Sequence, residues 1–284
     1  MEPIRLGSAF SGIGGFELGL HWSIPNLETV WQVEKNPFCR RVLAKHWPNA
    51  QRFDDIKTIS SPDLETIDIL AAGFPCQNLS IAGKREGIHA EKSGLFWELW
   101  RLLREFRDDG RAVPIVLLEN VSAITFSGIG HVLGALSKIG YNVEWFDLRA
   151  SDFGAPHRRE RIFFVCYRAD HNRQSNPDRA KHAETLERAT TYSFGTYSKK
   201  HPVDDLSMEP TKRFKCRGSK NKRVYERYNW KRFPIESPLC SRNDGISDRL
   251  ARLTVLGNAI VPQCSEWIGQ RLIDTGLLSD ILGR

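Results

Sequence analysis

The sequence predicts an α/β fold with a mostly parallel sheet, helices on both of its faces and a small second lobe. Short apolar runs alternate with helix-like segments over residues 4–167, the pattern produced by parallel strands joined by crossover helices. Hydrophobic residues make up 40% of the 284 residues, which is enough for one large core. Residues 168–250 break the alternation, because they are polar and rich in Ser, Thr, Asn, Lys and Arg.

The elements can be placed in order along the chain. The strand candidates are the apolar runs Ile4–Phe10, Thr29–Val33, Ile67–Ala72, Pro114–Glu119, Tyr141–Leu148 and Arg161–Tyr167. The helix candidates are Gly15–His21, Pro37–His46, Gly94–Arg107 and Ile129–Ile139. In the third of these helices, apolar residues recur every three or four positions, so we assign that face to the core. Residues 251–277 are regular again and contain an amphipathic helix through Trp267, Ile268 and Leu272.

Composition narrows the class of protein. No stretch approaches the roughly 20 apolar residues of a membrane span, and the N-terminus shows no signal peptide. None of the six cysteines forms a C-x-x-C pair, so we expect neither a zinc site nor a redox motif. The simplest setting is a reducing cytoplasm in which the thiols are free.

The net charge of +7 is unevenly distributed. Residues 168–232 carry 17 Lys or Arg against 8 Asp or Glu, and aromatic residues interleave the charges. This combination indicates a lobe that binds a polyanion such as nucleic acid, although a solvated insert would have a similar composition. The interleaved aromatic residues are Tyr192, Phe194, Tyr197, Phe214, Tyr225, Tyr228, Trp230 and Phe233.

A glycine-rich turn follows the first strand. Residues 10–16 read FSGIGGF, and glycines at a strand-to-helix turn let a ligand approach the backbone closely. The dinucleotide fingerprint would need a third glycine at position 17, where Glu17 stands. Glu34 ends the second strand, where an acid can bind ribose hydroxyls, and Asp55 with Ile56 can receive an adenine ring. In this order, these features favour a nucleoside cofactor at the carboxyl ends of the strands.

A second group of motifs carries reactive side chains. Residues 73–80 read GFPCQNLS, so Cys76 follows a proline on a stiff turn just beyond a buried strand. A free cysteine is more often a small buried hydrophobe, and spacing alone does not separate the two interpretations. Glu119 closes the fourth strand, where burial should raise its pKa and let it donate a proton near neutral pH. Arg159 and Arg161 alternate at the start of a strand and should project together.

The order of these motifs resembles that of the cytosine-C5 DNA methyltransferase family. The resemblance rests on FSGIGGF, GFPCQNLS, ENV at 119–121, HRRER at 157–161 and LGNAIVP at 256–262. It implies a Rossmann-like, S-adenosylmethionine-dependent methyltransferase domain over residues 1–167. It also implies a target-recognition lobe over 168–250 and a segment over 251–284 that returns to the catalytic domain.

The resemblance also implies roles for individual residues. Cys76 would attack C6 of cytosine and Glu119 would hold and protonate N3. Arg161 would contact O2, with Arg159 beside it. The S-adenosyl-L-methionine pocket would comprise Phe10, Gly12, Gly14, Gly15, Glu34, Asp55, Ile56, Gly73, Pro75, Leu95, Asn258 and Ala259. Gln77, Ser80, Lys84 and Arg85 would contact DNA, and no metal is implied.

The implied partner is double-stranded DNA, from which a stacked base must flip out to reach such a pocket. The resemblance is to enzymes of bacteria and their phages, so we expect a monomer in the cytoplasm of a bacterial or phage-infected cell, with a companion restriction endonuclease. Three alternatives remain: a tRNA cytosine methyltransferase on the same domain, a DNA-binding regulator with a vestigial site, and a dehydrogenase that uses the glycine turn. Glu17 and the Pro-Cys-Gln motif disfavour the last.

Overall fold

The computed structural model describes residues 2–75, 94–122, 124–155, 157–168, 194–197 and 258–283. Their centre is one eight-stranded sheet with the order β3-β2-β1-β4-β5-β7-β6-β8. The strands are β1 Ile4–Ala9, β2 Leu27–Val33, β3 Gln51–Phe53, β4 Ile69–Gly73, β5 Ile115–Val121, β6 Tyr141–Arg149, β7 Glu160–Arg168 and β8 Phe194–Tyr197.

The sheet is parallel in its first half and antiparallel in its second. Strands β1 to β5 pair in parallel, whereas β7 runs antiparallel to both β5 and β6, and β8 runs antiparallel to β6. Strands β6 and β7 are joined by residues 150–159, which is too short for the crossover that a parallel pair would need. The short connection therefore explains the change of direction.

Helices cover both faces of the sheet. They are α1 Gly15–Ser23, α2 Pro37–His46, α3 Leu95–Asp108, α4 Ile124–Ser127, α5 Ile129–Lys138, α6 Pro262–Asp274 and α7 Leu277–Leu282. Side chains of α3 and α5 share one apolar cluster with Leu70 and Ala72 of β4. Side chains of α1, α6 and α7 share the other with Ile69 and Ala71. Alternate residues of each central strand therefore supply the two halves of the core.

The predicted fold class is confirmed, and so are all six predicted strands and all four helices in the first part of the chain. Helix α2 has the predicted bounds, because Asn36 caps it by accepting from the backbone amides of Phe38 and Cys39 and Pro37 occupies its first turn. Strands β3 and β8 were not predicted. They have three and four residues, too few to show an alternation, and β8 lies in the polar segment.

The C-terminal helix α6 packs directly on α1. The Ser265 hydroxyl donates to the carbonyl oxygen of Gly15 at 2.9 Å, and a Cβ atom at Gly19 would collide with Pro262 and Ser265. Glycine at position 19 therefore lets the two helices touch. The contact anchors the end of the chain to the helix that follows the glycine turn.

The described residues hold no helix that is both long and apolar enough to cross a membrane. Within the same ranges, His, Cys, Asp and Glu form no group of three or more that could hold a metal ion. Cys39, Cys166 and Cys264 are buried free thiols.

Candidate active site

The carboxyl ends of β1, β2, β4 and β5 meet at one edge of the sheet. Ala9, at the end of β1, lies beside Val33 of β2 and Ala72 of β4, and Gly73 lies beside Glu119 of β5. The segments that follow these strands are thus neighbours in space. Ligands of open α/β sheets bind outside this edge, so the candidate site lies here.

The glycine turn leaves β1 with an unusual backbone. Phe10, Gly12 and Gly14 have positive φ angles of 56°, 57° and 86°, and the Gly14 amide donates to the carbonyl oxygen of Ser11 at 2.9 Å. A Cβ atom at Gly14 would meet Trp47, and one at Gly15 would meet the Ile260 carbonyl group. At Gly12 it would meet nothing within 4 Å. The turn is therefore packed against other residues at Gly14 and Gly15 and open at Gly12, where a ligand can approach closely.

Glu34 is fixed at the end of β2 by backbone donors. The Gly12 amide donates to its Oε2 at 2.8 Å and the Asn36 amide to its Oε1 at 2.7 Å. Each carboxylate oxygen retains a second lone pair, so both can still accept from the hydroxyl groups of a ribose. The hydrogen bond from Gly12 ties the glycine turn and this carboxylate into one unit.

Asp55 begins the short 3-10 turn Ile56–Thr58 beyond β3. The Lys57 amide donates to its Oδ1 at 3.1 Å and the Lys35 ammonium to its Oδ2 at 3.3 Å. The hydrogen bond from the Lys57 backbone, more than the Lys35 charge, lowers the pKa of Asp55. This carboxylate is therefore ionised and can accept from an amino group. Ile56 is buried in the apolar cluster that α3 and α5 share with β4, and Leu95 packs partly against the same cluster.

Arg101 of α3 holds this turn in place, a role that the sequence did not reveal. Its Nη2 donates to the carbonyl oxygens of Ile56 at 2.9 Å and Ile59 at 3.0 Å. Glu98 and Glu105 orient the same guanidinium through ion pairs at 2.9 and 2.7 Å. The only sequence signal was an arginine flanked by glutamates three positions before and four after it, which is a common pattern on helix surfaces.

Glu119 lies at the end of β5 and is 8% exposed. Its Oε1 is 3.1 Å from Nε of Arg161, the β7 residue paired with Val121. Burial raises the pKa of Glu119 to about 7, although the positive charges of Arg161 and Arg159 lower it. The predicted direction of this pKa shift is confirmed. A carboxyl group with this pKa can give up and take back a proton near neutral pH.

The strand that leads to Cys76 ends beside this carboxyl group. A Cβ atom at Gly73 would lie 3.3 Å from Glu119 Oε2 and 3.1 Å from Cδ1 of Ile260. The Asn120 side-chain amide donates to the Phe74 carbonyl oxygen at 3.0 Å. This bond holds the backbone leading to Pro75, which is exposed. Cys76 lies outside the described residues, and so do the predicted site residues Gln77, Ser80, Lys84 and Arg85.

Arg159 connects the arginine motif to the C-terminal segment. Its Nη2 donates to the Ala259 carbonyl oxygen at 2.6 Å, and its backbone has a positive φ of 29°. Burial, and then the nearby charge of Arg161, lower the pKa of this guanidinium. Ala259 is half-buried and Asn258 is exposed. The contact joins residues 100 positions apart, which sequence spacing could not show.

The fold, and the glycine turn and carboxylates at its carboxyl edge, are those of an α/β protein that binds a nucleoside cofactor. A solved structure titled as the S. pombe Dnmt2 methyltransferase resembles this chain with a TM-score of 0.50 and 22% identity, covering 64% of this chain and 56% of that one. At this identity the likeness describes the fold.

A family model described as C-5 cytosine-specific DNA methylase matches residues 4–244, and the chain belongs to that family. The type II methyltransferase M2.BsuMI of Bacillus subtilis (strain 168) is 31% identical over 316 residues, covering 99% of this chain and 78% of that protein. M.HhaI of Haemophilus parahaemolyticus is 31% identical over 62% of this chain and 52% of its own length. M.Bsp6I of Bacillus sp. (strain RFL6) is 34% identical over 58% of this chain and 52% of its own length.

The predicted family is therefore confirmed. The chain is a DNA cytosine-C5 methyltransferase, and its cofactor is S-adenosyl-L-methionine. The residues present fit this cofactor: Gly12 leaves open space at the turn, while Glu34 and Asp55 offer carboxylate acceptors for hydroxyl and amino groups. Apart from M2.BsuMI, the relatives named here are matched over about half of their length.

Proposed function

We propose that this chain methylates C5 of a flipped-out cytosine within a specific sequence of duplex DNA, with Cys76 as the nucleophile and Glu119 as the acid. The observation that carries the proposal is the Glu119–Arg161 pair at the edge where the strand before Cys76 ends. A buried carboxyl group with a pKa of about 7, beside a planar guanidinium, matches the two acceptors of a cytosine edge, N3 and O2.

Glu119 prepares the base for attack. In its protonated form it donates to N3, while the Arg161 guanidinium holds the O2 atom. Protonation draws electron density from the ring and makes C6 electrophilic. The pKa near 7 lets Glu119 exist in both forms under physiological conditions, so that it can return to its starting state after each turnover.

Cys76 then supplies the covalent step. Its thiolate forms a bond to C6, and the electrons of the C5=C6 double bond move to make C5 nucleophilic. S-adenosyl-L-methionine, when bound, supplies the methyl group that C5 accepts. Loss of the C5 proton to a base restores the double bond and expels the thiolate, and the N3 proton returns to Glu119. Only the thiolate attacks, so Cys76 needs a basic and partly exposed setting.

The cofactor would lie along β1, β2 and β3. Glu34 would accept from ribose hydroxyls, and Asp55 from the adenine amino group. Gly12 would let the cofactor approach the turn, while Gly73 and Pro75 would separate the methyl donor from the base. The remaining members of the proposed pocket are Phe10, Gly14, Gly15, Ile56, Leu95, Asn258 and Ala259.

Residues 168–250 would read the target sequence, because their positive charge and interleaved aromatic residues suit a nucleic acid. Gln77, Ser80, Lys84 and Arg85 would contact the DNA backbone near the flipped base. We further propose a monomer that acts in the cytoplasm of a bacterial or phage-infected cell beside a companion endonuclease. The type II methyltransferases among its relatives support this context.

The test measures transfer of a tritiated methyl group from S-adenosylmethionine to duplex DNA and to bulk tRNA, followed by bisulfite sequencing. We expect label at cytosine C5 in DNA, at a defined sequence. Cys76→Ala should abolish transfer but retain cofactor binding, whereas Cys39→Ala, which removes a buried thiol of α2, should remain active. Full turnover by Cys76→Ala would refute the assigned nucleophile, and label confined to tRNA would refute the assigned substrate.

A further inference from the structure

Two buried polar side chains lie near the glycine turn, one on α1 and the other on β2. Glu17 of α1 and Gln32 of β2 are both 0% exposed. Gln32 Nε2 donates to Glu17 Oε1 at 3.0 Å. Glu17 occupies the position at which a dinucleotide fingerprint would have its third glycine, and nothing in the proposed reaction uses it. A buried carboxyl group in an apolar core is costly unless it is paired or neutral, so its presence needs a physical reason.

The hydrogen-bond pattern of the pair is incomplete if Glu17 is ionised. Glu17 Oε2 and Gln32 Oε1 are both buried and have no hydrogen-bonding partner among the described residues. Both atoms are hydrogen-bond acceptors, and they belong to the side chains that already share the hydrogen bond from Gln32 Nε2 to Glu17 Oε1. One proton on Glu17 Oε2 would supply the missing donor for Gln32 Oε1. A carboxylic acid and a primary amide then pair through two hydrogen bonds running in opposite directions.

We propose that Glu17 is a neutral carboxylic acid that pairs with Gln32 through two hydrogen bonds, and that this pair positions the S-adenosylmethionine site. Glu17 is a positioning residue in this scheme, because it acts on the cofactor through the turn and through β2. The pair joins the first turn of α1 to β2. The cofactor site is built on the same two elements, from Gly12 on one side and Glu34 on the other.

The connections from the pair to the site are short. Gln32 is two residues before Glu34, and Ser8, its partner in β1, is two residues before Phe10. The Ser11 amide donates to the Val33 carbonyl oxygen at 3.2 Å, and the next amide, that of Gly12, donates to Glu34. A shift of α1 relative to β2 would therefore change the distance between the glycine turn and the Glu34 carboxylate.

The surroundings of Glu17 favour the neutral form. Burial raises the pKa of Glu17, whereas its own backbone amide and the nearby side chains of Ser8, Gln32 and Ser11 lower it. Among the described residues, only the contact from Gln32 has the geometry of a hydrogen bond, so the hydroxyl groups of the two serines do not supply the donor that Oε2 lacks. No charged group among the described residues contributes to this shift. The titratable or charged residues on α1 and on the elements around it are Arg5 of β1, His21 of α1, Glu28 of β2, Glu34 beyond β2, and Cys264, Glu266, Arg271 and Asp274 of α6.

The test compares variants by their affinity for S-adenosylhomocysteine in titration calorimetry. Glu17→Gln is the key variant, because a neutral amide can make both hydrogen bonds to Gln32. We expect its Kd to match that of the unmodified protein within about twofold at pH 7. Glu17→Ala should raise the Kd about tenfold, since it leaves Gln32 buried without partners. At saturating cofactor, Glu17→Ala should keep its kcat while its KM for S-adenosylmethionine rises.

Tyr141→Phe is the matched control for a general loss of stability. The buried Tyr141 hydroxyl donates to the Val113 carbonyl oxygen at 2.7 Å, at the start of β6 and away from the cofactor edge. This variant should unfold at a lower urea concentration without any change in Kd. A rise in Kd for Tyr141→Phe equal to that for Glu17→Ala would show that lost stability explains the effect and would overturn the positioning role.

Two further results decide the protonation state, even if Glu17→Ala fails to fold. The infrared spectrum of the unmodified protein minus that of Glu17→Gln at pH 7 should contain the carbonyl band of a protonated carboxyl group. The absence of that band would overturn the neutral pair, as would a Glu17→Gln variant that binds S-adenosylhomocysteine tenfold more weakly. A carboxyl group that is protonated in the fold but ionised in the unfolded chain lowers the free energy of unfolding as the pH rises. Glutamine does not titrate, so Glu17→Gln should gain stability relative to the unmodified protein as the pH rises.

Discussion

The free energy of unfolding should fall as Glu119 ionises, so that the protein is less stable above neutral pH than at pH 5. Its pKa rises from 4.5 in the unfolded chain to about 7 in the fold, so the folded protein binds the proton more tightly. The stability contributed by the protonated form is fully present below pH 4.5 and is lost as the pH rises through 7. These two values predict a loss of roughly 2–3 kcal/mol between pH 5 and pH 8.

Glu119→Gln isolates this contribution, because glutamine has a similar shape and does not titrate. Urea unfolding of the two proteins at pH 5, 6, 7 and 8, followed by tryptophan fluorescence, gives the difference in their free energy of unfolding at each pH. The attraction of ionised Glu119 to Arg161 is already contained in the pKa of about 7, and any difference in packing between the two side chains is independent of pH and cancels when slopes are compared. We expect the difference to move by roughly 2–3 kcal/mol in favour of the variant from pH 5 to pH 8.

Parallel pH curves for the two proteins would refute this reasoning. They would mean that Glu119 has the same pKa in the folded and unfolded chains, despite its burial. A difference that moves in favour of Glu119 as the pH rises would mean that Arg161 outweighs burial, so that the group is a permanent carboxylate. In either case Glu119 could not act as the acid at N3 near neutral pH. The variant itself should be nearly inactive in methyl transfer at every pH.

Three further changes test the rest of the site. Gly12→Val should weaken S-adenosylhomocysteine binding by at least tenfold in calorimetry, because φ at this position is positive and the side chain would fill the open space at the turn. Arg101→Met should raise the same Kd about tenfold while the apolar face of α3 stays packed, since the carbonyl oxygens of Ile56 and Ile59 lose their shared donor. DNA affinity, measured by fluorescence anisotropy, should fall linearly with salt on logarithmic axes, and a flat profile would contradict phosphate contact by the basic lobe.

Local patterns in the sequence predicted the elements, whereas contacts between distant residues needed the structure. Helix α2 was placed correctly because Asn36 and Pro37 signal its start within two residues. The direction of β7 could not be predicted, because no pattern in residues 150–159 indicates that the chain returns antiparallel beside β5. The same holds for the site. The order of motifs indicated Glu119 and Arg161, but only the antiparallel pairing of β5 with β7 brings the guanidinium to the carboxyl group.

The charges along the carboxyl edge divide the site into two halves with different chemistry. At β2 and β3, Glu34 is tied by backbone amides and Asp55 is held ionised, which suits the hydroxyl and amino groups of a cofactor that itself carries a positive charge. At β5 and β7, Glu119 is shared between its protonated and ionised forms near neutral pH and lies beside two guanidinium groups, which suits a base on a negatively charged polymer. Gly73 stands between the halves without a side chain. Because Arg159 and Arg161 outnumber the single carboxyl group, the half at β5 and β7 stays positive even when Glu119 is ionised, and protonation of Glu119 adds to its attraction for the DNA backbone.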